Sequence, residues 1–155
     1  MTTTKTTTKI EKTETVSSVM KEITTGRYIE AIGRRKTSTA RVRITNGTKG
    51  GFVVNGKDSK DYFKTGELIK IINDPFLKAK VLAKFSVSVL VSGGGIHSQA
   101  EAVRHGVSRI LSGLSETEIK PKLKALGFLK RDPRSKERRK FGLKKARKAP
   151  KWSKR

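Results

Sequence analysis

The most regular pattern in the chain lies at residues 84–91, where Phe85, Val87, Val89 and Val91 alternate with Ser86 and Ser88. A period of two over this length predicts a strand with one face in a core and the other in solvent. The period recurs at residues 39–45, where Ala40, Val42 and Ile44 are set against Arg41, Arg43 and Thr45. That strand feeds a core on one side and presents two arginines on the other. Residues 28–33 and 52–54 predict two further strands. Asn46-Gly47 and Asn55-Gly56 are turn signals, with Gly50-Gly51 loosening the chain between them. The period then lengthens. Residues 58–63 and 66–72 predict short helices, with Pro75 closing that region. After Gly93, Gly94 and Gly95, the positions Ala100, Val103, Val107, Ile110 and Leu111 fall on one helical stripe. Ser98 and Glu101 have capping-box spacing at its start, and Gly113 ends it. Ser115 caps a second helix over 116–126, studded with Lys120, Lys122 and Lys124 and stopped by Gly127, with Pro121 restricting its start. Strands with helices between them predict an α/β or α+β sandwich of one sheet and one helical layer.

This patterning fails beyond the second helix, and charge replaces it. Residues 130–155 contain fourteen Lys or Arg and two acids, Asp132 and Glu137. Their bulky apolar side chains, Phe141, Leu143 and Trp152, are too few to offset the entropy of ordering the backbone. The charges lie closer together than the ~8 Å physiological Debye length, so they repel one another. Such a segment needs a polyanion to lie on, and its charge density and arginine content point to nucleic acid.

The chain as a whole has 37 basic and 13 acidic residues, net +24. The excess is uneven: net +1 over 1–25, +11 over 26–126 and +12 over 127–155. The organisation expected is a disordered Thr-rich leader (1–25), a globular basic domain (26–128) and an extended basic tail (129–155). The absence of cysteine excludes disulfides, thiolate zinc sites and thiol catalysis, and fits a reducing cytosol. The longest apolar run, 87–91, is short and broken by Ser88, so no membrane span is expected. The leader lacks an apolar h-region, carries Glu11, Glu14 and Glu22, and has no Arg, which argues against secretory and transit signals.

Two motifs carry candidate chemistry. GRRKTSTARV (33–42) sets Arg34, Arg35 and Lys36 at a strand-to-strand connection, followed by Thr37, Ser38 and Thr39. Guanidinium forks and hydroxyls suit phosphate oxygens; the alternative is a solvated basic hairpin. SGGGIHSQAEA (92–102) is a glycine-rich loop entering a helix, where backbone N–H groups and the helix dipole can hold a phosphate. It lacks the Gly-Lys-Ser/Thr ending of a P-loop, and the alternative is a tight turn. His97 and His105 have no acidic cluster beside them, and Glu101 is assigned to the cap. Both histidines therefore read as surface or RNA-facing groups rather than catalysts or metal ligands. Arg104 and Arg109 lie off the apolar stripe, toward phosphates or water. Phe141 and Trp152, interleaved with charge, can stack on bases or act as apolar anchors.

Taken in order, three blocks resemble the bacterial form of the small-subunit ribosomal protein nine family: GRRKTSTARVRI (33–44), GGGIHSQAEAVRHGVSRIL (93–111) and GFLKRDPRSKERRKFGLKKARKAPKWSKR (127–155). The resemblance covers residues 26–155. It implies an α+β, two-layer sheet-and-helix sandwich like the second domain of small-subunit ribosomal protein five, with one left-handed crossover and a long extended basic C-terminal tail. It further implies that the globular part sits on small-subunit ribosomal RNA in the head, beside neighbouring ribosomal proteins. The tail would thread through RNA so that Ser153, Lys154 and Arg155 approach peptidyl-site tRNA. Expected on ribosomal RNA are Arg34, Arg35, Lys36, Thr37, Arg41, Gly93, Gly94, Gly95, Gln99, Arg104 and Arg109 in the domain. In the tail they are Arg131, Arg134, Arg138, Arg139, Lys140, Lys144, Lys145, Arg147 and Lys148. No cofactor, metal or enzymatic activity is expected, and the location implied is the cytoplasmic ribosome. The sequence departs from the family pattern at His97-Ser98, where a residue followed by Gly is usual, so Ser98 is expected to alter how closely the backbone approaches RNA. Trp152 replaces a usual Phe and Lys151 a usual Gln, while the leader has no counterpart.

Two rivals remain at this level. A small-molecule kinase needs carboxylates for Mg²⁺ and a catalytic base, and only Glu101 lies near the glycine loop. A DNA-condensing protein would bind DNA and RNA equally.

Overall fold

The computed structural model describes residues 28–47, 50–81, 85–114 and 118–152; the predicted leader, Lys84, Ser115 and residues 153–155 fall outside the described residues. The elements are β1 (Ile29–Arg35), β2 (Ser38–Asn46), β3 (Gly51–Val54), β4 (Lys57–Asp58), α1 (Ser59–Phe63), α2 (Gly66–Ala79), β5 (Phe85–Ser92), α3 (Ile96–Leu114) and α4 (Ile119–Ala125). They form one five-stranded mixed sheet in the order β1-β2-β5-β3-β4. β5 is antiparallel to β2 and parallel to β3, so α1 and α2 serve as the crossover.

The period-two segments behave as their pattern requires. Along β5 burial alternates strictly, with Phe85, Val87, Val89 and Val91 inward and Ser86, Ser88, Leu90 and Ser92 exposed. On β2, Ala40, Val42 and Ile44 are fully buried while Arg41 is exposed. Val42 lies opposite Val89 on one side and Ala31 on the other, which continues one apolar face across three strands. The helices cover that face, and the other face stays open. The architecture is thus α+β and compatible with the two-layer sandwich implied by the resemblance.

The stripe of α3, Ala100, Val103, Val107, Ile110 and Leu111, is buried, together with Phe63, Ile72 and Leu123 from the other helices. α3 lies directly on the β1–β2 hairpin, with backbone close to backbone. A Cβ on Gly33 would meet the Ala102 carbonyl oxygen, and one on Gly106 would lie 2.6 Å from Val42 Cγ2. Only glycine at these positions permits the approach.

Two local expectations are corrected. Pro75 does not close the helical region: α2 runs through it to Ala79 and ends at Lys80 in the left-handed conformation, φ 55°. Leu68, Ile72, Pro75 and Ala79 are all buried on one stripe, so the proline ring belongs to the core and its burial offsets the lost backbone bond. Asn46 is the last residue of β2, and β5 lies between β2 and β3 in the sheet. Asn55-Gly56 does make a hairpin turn, with φ of 49° and 80°, and the Asn55 side chain bonds both the N–H and the C=O of Val91. Finally, α3 begins at Ile96, so Ser98 sits inside its first turn and the Ser98–Glu101 capping box does not form.

Residues 130–152 contain neither helix nor strand, and none of them is fully buried. Phe141 and Trp152 are exposed.

Candidate nucleic-acid interface

One end of the sandwich brings together the β1–β2 turn, the glycine loop, the first turns of α3 and the chain following α4. The hairpin closes with Arg35 opposite Ser38, leaving Lys36-Thr37 as a two-residue turn. Lys36 takes a left-handed φ of 51°, and Arg34, Lys36 and Thr37 are exposed.

The glycine loop is pinned to this hairpin. Gly93 and Gly94 have φ of 73° and 63°, which L side chains rarely adopt. Ser38 Oγ, on a buried residue, donates to the Gly93 carbonyl at 3.1 Å and lies 2.7 Å from Ser98 Oγ. Ser98 Oγ in turn accepts the Gly95 N–H at 3.1 Å. Ser98 therefore faces inward, buried against Ser38 and the glycine loop. Gln99 is also turned inward, donating to the Gly93 carbonyl at 3.0 Å and accepting from Tyr62 at 2.9 Å. Gly95 is exposed with open space where a Cβ would be.

The start of the basic segment is latched to the same end. Arg35 is the centre of the latch, with its side chain only 12% exposed. Its Nε donates to Glu101 at 2.7 Å, and its Nη1 donates to the Arg134 carbonyl at 2.7 Å and to the Asp132 carbonyl at 3.4 Å. Its Nη2 lies 3.2 Å from the Asp132 carboxylate. Asp132 also accepts from the Arg134 side chain and backbone N–H, bonds that hold its carboxyl well below the usual carboxylate range. Arg131 donates to the Lys36 carbonyl at 3.1 Å. The Phe128 ring carries the Arg104 guanidinium at 4.9 Å and the Lys78 ammonium at 5.1 Å.

His105 belongs to this latch, with both ring nitrogens engaged. Its Nδ1 accepts the Arg34 backbone N–H at 3.2 Å, so that nitrogen carries no proton. Its Nε2 then donates to the Leu129 carbonyl at 3.3 Å. Burial pushes its pKa down, and the charges of Arg109 and Arg131 act in the same direction. Glu101, taken for a cap, instead receives Arg35 at 2.7 Å and lies 3.8 Å from His97 and 3.9 Å from Arg104. His97 stays on the surface, as expected.

The remaining candidates divide by what they already hold. Arg109 donates to the Ile32 carbonyl at 2.6 Å from an exposed position. Arg41, on the open face of the sheet, shares Glu30 with Arg43. Arg43 was not singled out for binding, and it stacks 4.6 Å from the Tyr28 ring centroid. Farther along, Lys140 and Arg147 pair with Glu137 at 3.6 and 2.9 Å. Arg138, Arg139, Lys144, Lys145 and Lys148 are exposed, with no carboxylate partner among the described residues. Ser153, Lys154 and Arg155 lie outside the described residues.

Between the hairpin, α3 and residues 126–132 lies a cleft of about 310 Å³, lined by Arg34, Arg35, Arg104, His105, Lys130 and Arg131 among others. Lys130 escaped the sequence reading because it looks like one lysine in a long basic run. Among the described residues no group of three or more His, Cys, Asp or Glu could hold a metal ion, and no helix is long and apolar enough to cross a membrane.

The arrangement suits a polyanion, and the comparisons agree with the motifs that build it. The family model for ribosomal protein S9/S16 matches residues 33–155, from the first glycine of the hairpin motif through the basic segment. The small ribosomal subunit protein uS9 of Desulfovibrio desulfuricans is 51% identical over 123 residues, covering 79% of this chain and 93% of that protein. The chain belongs to the ribosomal protein S9/S16 family.

Proposed function

We propose that this chain is a non-enzymatic constituent of the small ribosomal subunit, in the cytoplasm. It binds small-subunit ribosomal RNA in the head, beside neighbouring ribosomal proteins. Its basic segment extends through RNA to bring Ser153, Lys154 and Arg155 to peptidyl-site tRNA. The observation that carries the reading is the family match, which runs through the whole net +12 segment and not only through the folded domain. The mechanism is electrostatic: Lys and Arg neutralise phosphates and release counterions, and those contacts offset the entropy of ordering the segment. The position of Glu101 supports the non-enzymatic reading, since the one carboxylate near the glycine loop in sequence is engaged by Arg35 at 2.7 Å.

Sedimentation tests the first half. The chain should remain with small subunits through a high-salt wash, and its quantitative release would overturn the assignment. For the second half, deleting 153–155 should leave incorporation intact and weaken peptidyl-site tRNA binding modestly, because each exposed charge contact contributes about 1 kcal/mol or less. Filter binding of tRNA across a salt series reads this. Equal affinity for full-length and truncated subunits at every salt concentration would remove the tRNA contact and leave the RNA-scaffold role standing.

A further inference from the structure

The cleft at the root of the basic segment has an unbalanced charge. Its lining includes two carboxylates, Glu101 and Asp132, and both are committed. Glu101 holds Arg35 at 2.7 Å, and Asp132 holds Arg134 at 2.7 Å and Arg35 at 3.2 Å. Three other lining residues, Arg34, Lys130 and Arg131, are exposed and pair with no carboxylate among the described residues. Three like charges around a cleft of about 310 Å³ repel one another unless an anion joins them.

We propose that this cleft seats a single phosphate, supplied by the backbone of an RNA chain and clasped by Arg34, Lys130 and Arg131. The proposal rests on the ribosomal RNA reading and gives it a specific site.

Two features favour a phosphate over other anionic or planar groups. The first is preorganisation. The backbone of Arg34 is fixed by its bond to His105, and Arg131 spends one nitrogen on the Lys36 carbonyl while its other donors remain available. Arg35 holds residues 132 and 134 against the domain, so the far wall of the cleft is fixed too. A cleft whose walls are set before binding spends less entropy on capture, which then falls on the side chains of Arg34 and Lys130 and the remaining freedom of Arg131. The second feature is the absence of a free stacking platform. Of the two rings in the lining, Phe128 already carries Arg104 and Lys78, and His105 is half-buried with both nitrogens engaged by Arg34 and Leu129. A base would have to displace a cation to stack there, whereas a phosphate needs only the N–H groups.

A single shared phosphate makes a quantitative signature. Each neutralised phosphate contributes about 0.7 to 0.9 to the log–log salt slope of RNA binding. Full-length chain and the triple variant Arg34→Gln/Lys130→Gln/Arg131→Gln are titrated with a small-subunit ribosomal RNA head fragment across a salt series. The three positions are exposed and outside the apolar core, and only Arg131→Gln gives up a bond, the one to the Lys36 carbonyl, so the body of the variant should melt at close to the wild-type temperature, which is checked first. The slope should fall by about one phosphate's worth, although three charges are removed. A fall of about 2 or more would mean that the three cations meet separate phosphates, and no fall would mean that they meet none; either result overturns the proposal. Inorganic phosphate, added at constant ionic strength against chloride, separates the sources. If it raises the melting temperature of wild type but not of the variant while the RNA slope is unchanged, the seat takes a free anion and the RNA assignment is overturned. If wild-type chain fails to bind the RNA fragment at all, the ribosomal RNA reading itself falls.

Discussion

The body of the domain and the root of the basic segment attach to the same helix, α3, by opposite means. The body is held by apolar burial: Val103, Val107 and Leu111 of α3 are fully buried with Val42, Val87 and Val89 of the sheet. The root has only Phe128 and Leu129 partly buried against that core, and its other attachments are the ion pairs and hydrogen bonds of Arg35, His105 and Arg131. Apolar burial neither titrates nor is screened by salt, whereas charged attachments are subject to both. The root should therefore be able to release while the body stays folded. The comparison also explains why neighbouring cations differ in fate. Arg35 is spent inside the protein, and Arg34 and Lys36 on either side remain exposed.

The severest test acts on what the two regions share. Gly33→Val puts a branched side chain where the α3 backbone already lies, and no rotamer avoids the Ala102 carbonyl. The cost should be about 3 kcal/mol or more, and both regions should be lost together in a urea titration. Independent survival of the root would mean that α3 is not its platform.

Arg35→Gln separates the regions. It removes four bonds to Glu101, Asp132 and Arg134 at a site only 12% exposed, at a cost of about 1–3 kcal/mol. Hydrogen exchange should speed up at amides 128–134 and remain slow along β5. Uniform acceleration across both would show that the root is an integral part of the body.

Ser38→Ala sharpens the comparison within the body. It leaves the Gly93 carbonyl and Ser98 hydroxyl with one partner fewer in a buried place, and should cost about 1 kcal/mol. Loosening should be confined to residues 93–95, with the root unaffected, as read by hydrogen exchange.

The smallest effect is that of pH. The folded-state pKa of His105 lies below its usual value of about 6.5, so below that pH the unfolded chain binds more protons than the folded one. The stability His105 contributes is present above about pH 6.5 and is lost as pH falls from there through the folded value. A proton on Nδ1 also breaks the bond from the Arg34 N–H. The urea midpoint should therefore decline between pH 7 and 5, and His105→Gln should flatten that decline. Asp132 acts in a lower window: its carboxyl is depressed, so its contribution is present above about pH 4 and disappears on further acidification.

Much of the body was legible because its signals are local. Strict alternation from Phe85 to Val91 leaves no other assignment, and the stripe from Ala100 to Leu111 fixes the inner face of α3. The absence of helix and strand over 130–152 followed from having three bulky apolar residues among so many charges. The failures are non-local. Pro75 was judged by the hydrogen bond it lacks, while its place on the stripe with Leu68, Ile72 and Ala79 decided the outcome. Asn46-Gly47 signals a turn but cannot reveal that the next strand in space is Phe85–Ser92, beyond β3, β4 and two helices. The same holds for the interface. In GRRK the three cations look alike, and nothing local says that Arg35 meets Glu101 and Asp132, 66 and 97 positions away in sequence. The partners of Glu101 and His105 are hidden for the same reason, since they come from the β1–β2 hairpin and from the chain after α4.

The sheet order has a consequence for how the molecule is made. β5 is the central strand in space, but it follows all the other strands in sequence. The β1–β2 and β3–β4 hairpins can close as they leave the ribosome, yet they share no ladder until residues 85–92 insert between them. Until then each presents an unpaired strand edge. Folding must therefore wait for contacts of long sequence separation, which slows it. α3 follows within four residues of β5 and can cap the sheet as soon as it closes. The densely cationic segment emerges only after that, so the part of the chain most prone to indiscriminate capture by nucleic acid appears when the domain that aims it has the means to be complete.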